Sequence, residues 1–159
     1  MEGIDQMYRE EKRKKIAISA CLLGEACRYD GTDNRNDPLL QKLEGYELVS
    51  FCPEDFAFGT PRPTMDLVET PKGIRAISNE TGEDLSEPVQ AYAKAFFDAH
   101  RDIDLFIGKD RSPSCGVCSA KCYDGAKQLR STEATGLMAA EAKARGIEAV
   151  DAEIYLAKV

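Results

Sequence analysis

Short apolar runs alternate with amphipathic stretches along most of the chain. KIAISA, residues 15–20, has the length and continuity of a buried strand, and Gly24 closes it in a turn. DPLLQKLEG, residues 37–45, carries an Asp cap, a Pro at the first helical position and a terminal Gly, the marks of a short helix. YELVSFCPE follows as a second strand that Pro53 stops. Residues 58–73 hold three prolines and two glycines and read as an irregular loop, after which GIRAISN alternates like an edge strand.

Residues 86–101 place Val89, Tyr92, Ala93, Phe96 and Phe97 at helical spacing behind a Ser cap and a Pro in the first turn. DLFIGKD, residues 104–110, predicts a third core strand, and RSPSCGVCSAKCYDG leaves its end as a loop. A helix over residues 133–145 then leads through Gly146 to a strand, IEAVDA, and a final helical turn. Strands alternating with helices imply an α/β domain with a mostly parallel sheet, with residues 58–79 inserted as loop and edge strand over the site. Such sheets bind ligands beyond the carboxyl ends of their strands.

The length of 159 residues suits one domain, assigned to residues 15–159, preceded by an extension over residues 1–14. That extension lacks the layout of a signal peptide, and no stretch has the roughly 20 apolar residues of a membrane span. A cytoplasmic protein without a membrane partner is expected. The net charge of -7 removes the electrostatic attraction that drives nucleic-acid binding, so no nucleic-acid partner is expected either.

Six cysteines in a reducing compartment point to metal binding or catalysis rather than disulfides. Cys21, Cys52 and Cys115 each follow a predicted strand, so only the fold can gather them, and thiolates select iron-sulfur clusters, zinc or cuprous copper. Cys21 and Cys52 also read as small buried hydrophobes. A second metal signal is local: Cys115, Cys118 and Cys122 form a C-x2-C-x3-C run, while Cys27 reads first as a thiol packed in the turn after the first strand and otherwise as the candidate fourth ligand.

Three motifs carry a resemblance to a known family: SACLLGEACRYDG at residues 19–31, FCPEDFAFGTPRP at residues 51–63 and KDRSPSCG at residues 109–116. Here the chain resembles the family known as domain of unknown function 523, which includes the bacterial thiouracil desulfurases, or desulfidases. The resemblance implies a Rossmann-like three-layer domain with a four-iron, four-sulfur cluster on Cys21, Cys52 and Cys115, one iron being left without a protein ligand. It also implies Glu54 and Ser112 as catalytic residues and a thiolated small molecule, such as a thio-nucleobase, as substrate. The family pattern does not require Cys118 and Cys122.

The chemistry is coherent without the name. A soft thiocarbonyl sulfur suits an open soft iron, and a carboxylate near Cys52 can serve a water as general base. Ser114, Arg28 and Arg62 are candidate substrate-binding residues, while His100 falls at a helix C-terminus and is assigned no catalysis. Two other readings stay open: a non-catalytic carrier of iron-sulfur clusters or persulfide sulfur, and an interaction module built on structural zinc.

Overall fold

Ile16 and Ile18 face one side of a sheet and Ala17 the other, and that alternation separates two cores. In the computed structural model, which describes residues 14–158, the elements in chain order begin with β1 (Lys15–Ser19), α1 (Asp37–Lys42), β2 (Glu47–Phe51) and α2 (Pro53–Phe58). They continue with β3 (Met65–Thr70), β4 (Gly73–Ser78), α3 (Ser86–Ala99), β5 (Leu105–Gly108), β6 (Ala120–Tyr123) and β7 (Leu129–Ala134). The chain closes with α4 (Leu137–Ala144), β8 (Glu148–Asp151) and α5 (Ala152–Ala157). The extension assigned to residues 1–14 lies, but for its last residue, outside the described residues.

β2, β1, β5 and β8 form a four-stranded sheet in that order, all parallel. Ile16, Ile18, Leu105 and Ile107 pack on Leu39 of α1, Ala152 of α5 and their neighbours. Ala17, Phe51 and Phe106 pack on the opposite face against Ala93, Phe96 and Phe97 of α3 and Met138, Ala139 and Ala142 of α4. The result is the expected three-layer α/β arrangement with a mostly parallel sheet. Chain order reverses beside β1, where β2 lies on one side and β5 on the other, and the crevice beyond the carboxyl ends at such a switch is the site such sheets offer. Register aligns those ends: Ser19 stands opposite Phe51, and Gly108 opposite Asp151.

Aromatic packing fixes the strand end nearest the site. Phe51, 2 % exposed, stacks on Phe106 with ring centroids 4.8 Å apart and meets Phe96 edge-on at 5.7 Å. Pairs of this geometry contribute about 0.5–1.5 kcal/mol beyond the area they bury, which holds the residue before Cys52 rigidly.

The inserted segment is more than a loop with an edge strand. β4, β3, β6 and β7 make a second four-stranded sheet, with β3 parallel to β6 and the outer pairs antiparallel. Its inner face packs Leu67, Ala76 and Cys122 with Val89 of α3 and Leu137 of α4, so the two helices contribute to both cores. β3 lies within the stretch read as irregular, and β6 lies within the loop read after the third strand. The helix expected from residue 133 starts at Leu137, because residues up to Ala134 complete β7. Ser86 does not cap α3; its hydroxyl accepts the Ala76 N–H, while its own N–H donates to Asp84. Among the described residues no helix is long and apolar enough to cross a membrane.

Candidate functional site

Beyond the carboxyl ends of β1, β2 and β5 lies a cavity of about 550 Å³ whose wall includes Cys21, Cys27, Cys52 and Cys115. Cys21 sits in the 3-10 turn Ala20–Leu23 that follows β1, and its sulfur accepts a hydrogen bond from the Asn34 amide at 3.5 Å. Cys52 follows β2 in an extended conformation just before Pro53 opens α2, and its N–H donates to the Tyr92 hydroxyl. Burial raises the Cys52 thiol pKa, against a lowering influence from the Asp55 backbone N–H and Arg62.

Cys115 arrives on a loop held from several sides. The Ser112 hydroxyl accepts the N–H groups of Ser114 and Cys115 at 3.2 and 3.1 Å. Asp151, 1 % exposed at the end of β8, accepts from the N–H groups of Val117 and Cys118 and from the Ser119 hydroxyl. Two glycines make room for the loop. A Cβ on Gly108 would stand 1.8 Å from the Cys115 carbonyl oxygen, and one on Gly136 would stand 2.5 Å from the Ser114 carbonyl carbon. Burial pushes the Cys115 thiol well above the ordinary range, with nearby Glu54 adding to the shift.

Glu54 lies one residue into α2 and is 16 % exposed. Its Oε2 accepts the Ser114 hydroxyl at 3.0 Å, and its Oε1 stands 3.7 Å from Arg62 Nε. Burial raises its carboxyl above the usual range, opposed by Arg62 and by the Ser114 hydrogen bond. Glu54 and the thiols share one cavity wall.

Arg62 and Ser114, read from the sequence as substrate-binding residues, both make hydrogen bonds within the protein. The Arg62 side chain, 6 % exposed, donates to the carbonyls of Cys27 and Gly59 and to the Thr60 hydroxyl, leaving Nε without a hydrogen-bond partner beside Glu54. Ser114 is fully buried behind Glu54. Ser114 therefore holds the carboxylate from outside the cavity lining, whereas Arg62 both lines the cavity and stands beside the carboxylate. Arg28 does line the cavity, its guanidinium near the Thr32 hydroxyl and over the Tyr29 ring. Ser112 lines it as well. Lys109 and Asn34 were not singled out in the sequence, yet both line the cavity. Lys109 had a usable signal, its place at the carboxyl end of the predicted third core strand, whereas Asn34 is brought in only by the folding of the loop after Cys21. His100 ends α3 with its ring against Phe96.

The C-x2-C-x3-C run does not gather. Cys115 faces the cavity, Cys118 is exposed with its sulfur 3.7 Å from Lys143 Nζ, and Cys122 is buried in the second sheet's core. Cys27 is 6 % exposed on the cavity wall, its carbonyl holding Arg62 and its thiol pKa raised by burial.

Four thiols and no imidazole give the cavity a soft donor set. Among the described residues no three His, Cys, Asp or Glu side chains are close enough to share a single metal ion. Thiols spread around a roomy cavity suit a polynuclear group that spans between them, as an iron-sulfur cluster does. The raised pKa values of Cys52 and Cys115 mean that binding such a group there must release protons.

The family model described as 2-thiouracil desulfurase matches residues 16–153. The uncharacterized protein YbbK of Bacillus subtilis (strain 168) is 28 % identical over 148 residues, which is 85 % of this chain and 93 % of that protein. The solved structure of the [4Fe-4S]-dependent thiouracil desulfidase TudS aligns with a TM-score of 0.69 at 29 % identity, over 87 % of this chain and 91 % of that one.

Proposed function

The chain belongs to the 2-thiouracil desulfurase family, and we propose that it is a [4Fe-4S]-dependent desulfurase that hydrolyses a thiolated nucleobase or a similar small thioamide. In this reaction water replaces sulfur, so that a thiocarbonyl and water give a carbonyl and hydrogen sulfide. The observation that carries the reading is the meeting of Cys21, Cys52 and Cys115 with Glu54 around one cavity.

Cys21, Cys52 and Cys115 hold the cluster in this reading, each placed by the end of a parallel strand. Bound there, the cluster supplies a soft Lewis-acidic iron for the substrate's sulfur. Glu54 then takes a proton from the water that attacks the carbon, a task requiring its ionised form. Ser114 and Arg62 favour that form and fix the direction of the carboxylate. The Ser112 hydroxyl oxygen is occupied by two backbone donors, which leaves its proton free to point at a substrate atom. Arg28 and Lys109 contribute positive charge to a cavity that receives an anionic cluster.

The cavity is in keeping with a small molecule as partner. The free cysteines agree with a cytoplasmic setting. Assay of the anaerobically reconstituted protein on 2-thiouracil and 4-thiouracil, reading uracil and sulfide, tests the function. Equal release of both products supports it. A cluster-loaded protein whose delivery of sulfur or cluster to an acceptor is indifferent to Glu54→Gln, with no uracil formed, favours the carrier reading.

A further inference from the structure

Of the four thiols on the cavity wall, Cys21 is the one whose sulfur receives a hydrogen bond from a side-chain amide. Asn34 reaches it twice: Nδ2 donates to the sulfur at 3.5 Å, and the Asn34 backbone N–H donates to the Cys21 carbonyl at 2.9 Å. The second contact is continued by Asn36, whose N–H donates to the Leu22 carbonyl at 3.1 Å. The segment over residues 34–36 is thereby zipped to the turn that carries Cys21. Asn36 is itself fixed as the cap of α1, accepting the Leu39 N–H. A short chain of contacts thus runs from a helix start to the Asn34 amide, so the amide is held in place.

We propose that Asn34 is a positioning residue for the cluster, donating to the Cys21 thiolate and drawing charge from it. The inference rests on the cluster reading above. An N–H directed at a ligand sulfur stabilises negative charge there, so it favours the more reduced cluster and raises the reduction potential. The same withdrawal of charge makes the iron a stronger Lewis acid toward a thiocarbonyl. The backbone N–H supplies the structural half of the contact and survives any change of side chain, so the electronic half can be tested separately.

The test is redox titration of anaerobically reconstituted wild type, Asn34→Ala and Asn34→Asp, with Cys21→Ala as a control for ligation. Asn34→Ala is expected to shift the midpoint potential to more negative values with iron content unchanged. Asn34→Asp, nearly the same shape but without the donor and carrying a negative charge, is expected to shift it further. Midpoints equal to the wild type in both variants overturn the proposal, even if the wild type is an active, cluster-bearing enzyme. If Asn34→Ala takes up no cluster, the Asn34→Asp midpoint decides. A wild type that takes up no cluster overturns the functional reading and this inference with it, so the two failures are distinguishable.

Discussion

The Ser114 hydroxyl donates to Glu54 Oε2 at 3.0 Å, joining the start of α2 to the loop that carries Cys115. The bond ties the candidate base to a candidate cluster ligand next in sequence to Ser114. Any displacement of the Cys115 loop is therefore felt at the carboxylate.

Glu54→Gln keeps the shape of the side chain and its contact with Ser114 but removes the proton acceptor. Turnover of thiouracil is expected to fall by about 10²- to 10⁴-fold, the usual contribution of a positioned base. Iron content and the cluster spectrum should stay at wild-type values. Undiminished turnover would remove Glu54 from the mechanism.

Ser114→Ala takes away a donor that favours the charged form of Glu54, so the carboxyl rises further above its ordinary range. The base is then protonated up to a higher pH. The acidic limb of the profile of kcat/KM is expected to move upward, with the alkaline side unchanged, and a profile that stays in place would contradict the role given to this hydrogen bond.

Glu54 also marks the pH dependence of stability. A carboxyl whose folded pKa is raised contributes stability that is fully present below the unfolded value and is lost as pH rises through the folded value. Denaturation of the cluster-free protein should therefore show a contribution to stability that declines as pH rises above the ordinary glutamate value of 4.5, and Glu54→Gln should remove that contribution. A steeper decline in the variant would reverse the sign assigned to the burial of Glu54.

Asp151→Ala leaves the Val117 and Cys118 N–H groups and the Ser119 hydroxyl without their acceptor. One buried and two part-buried donors left unpaired in this way are expected to lower the unfolding free energy by about 2–4 kcal/mol, measurable by urea denaturation. The Cys115 loop loses its anchor at the same time, so cluster uptake should fall, whereas Cys118→Ala should change neither.

The parallel sheet was legible because its central strands, β1 and β5, are short apolar runs buried on both faces. The second sheet was not. β7 is mostly exposed and reads LRSTEA, and β3 is embedded among prolines and charges, so neither shows an apolar run. β6 fell inside a cysteine-rich stretch whose spacing suggests a local metal site, but the pairing of β6 buries Cys122 and leaves Cys118 outside. At the site, the cysteines and Glu54 were marked by strand ends and motifs. Ser114 and Arg62 were marked as polar residues near the site, but their attachment to Glu54 depends on contacts between segments distant in sequence. No local pattern encodes such contacts.

The most direct measurement is the absorption spectrum, with iron and sulfide content, of anaerobically reconstituted wild type beside Cys21→Ala, Cys52→Ala, Cys115→Ala and Cys118→Ala. The account predicts a broad absorption near ~400 nm, as thiolate-ligated clusters show, in the wild type and Cys118→Ala, with its loss in the other three and thiouracil turnover following the same division. A wild type that binds only zinc, or a Cys118→Ala variant as damaged as Cys115→Ala, would contradict it.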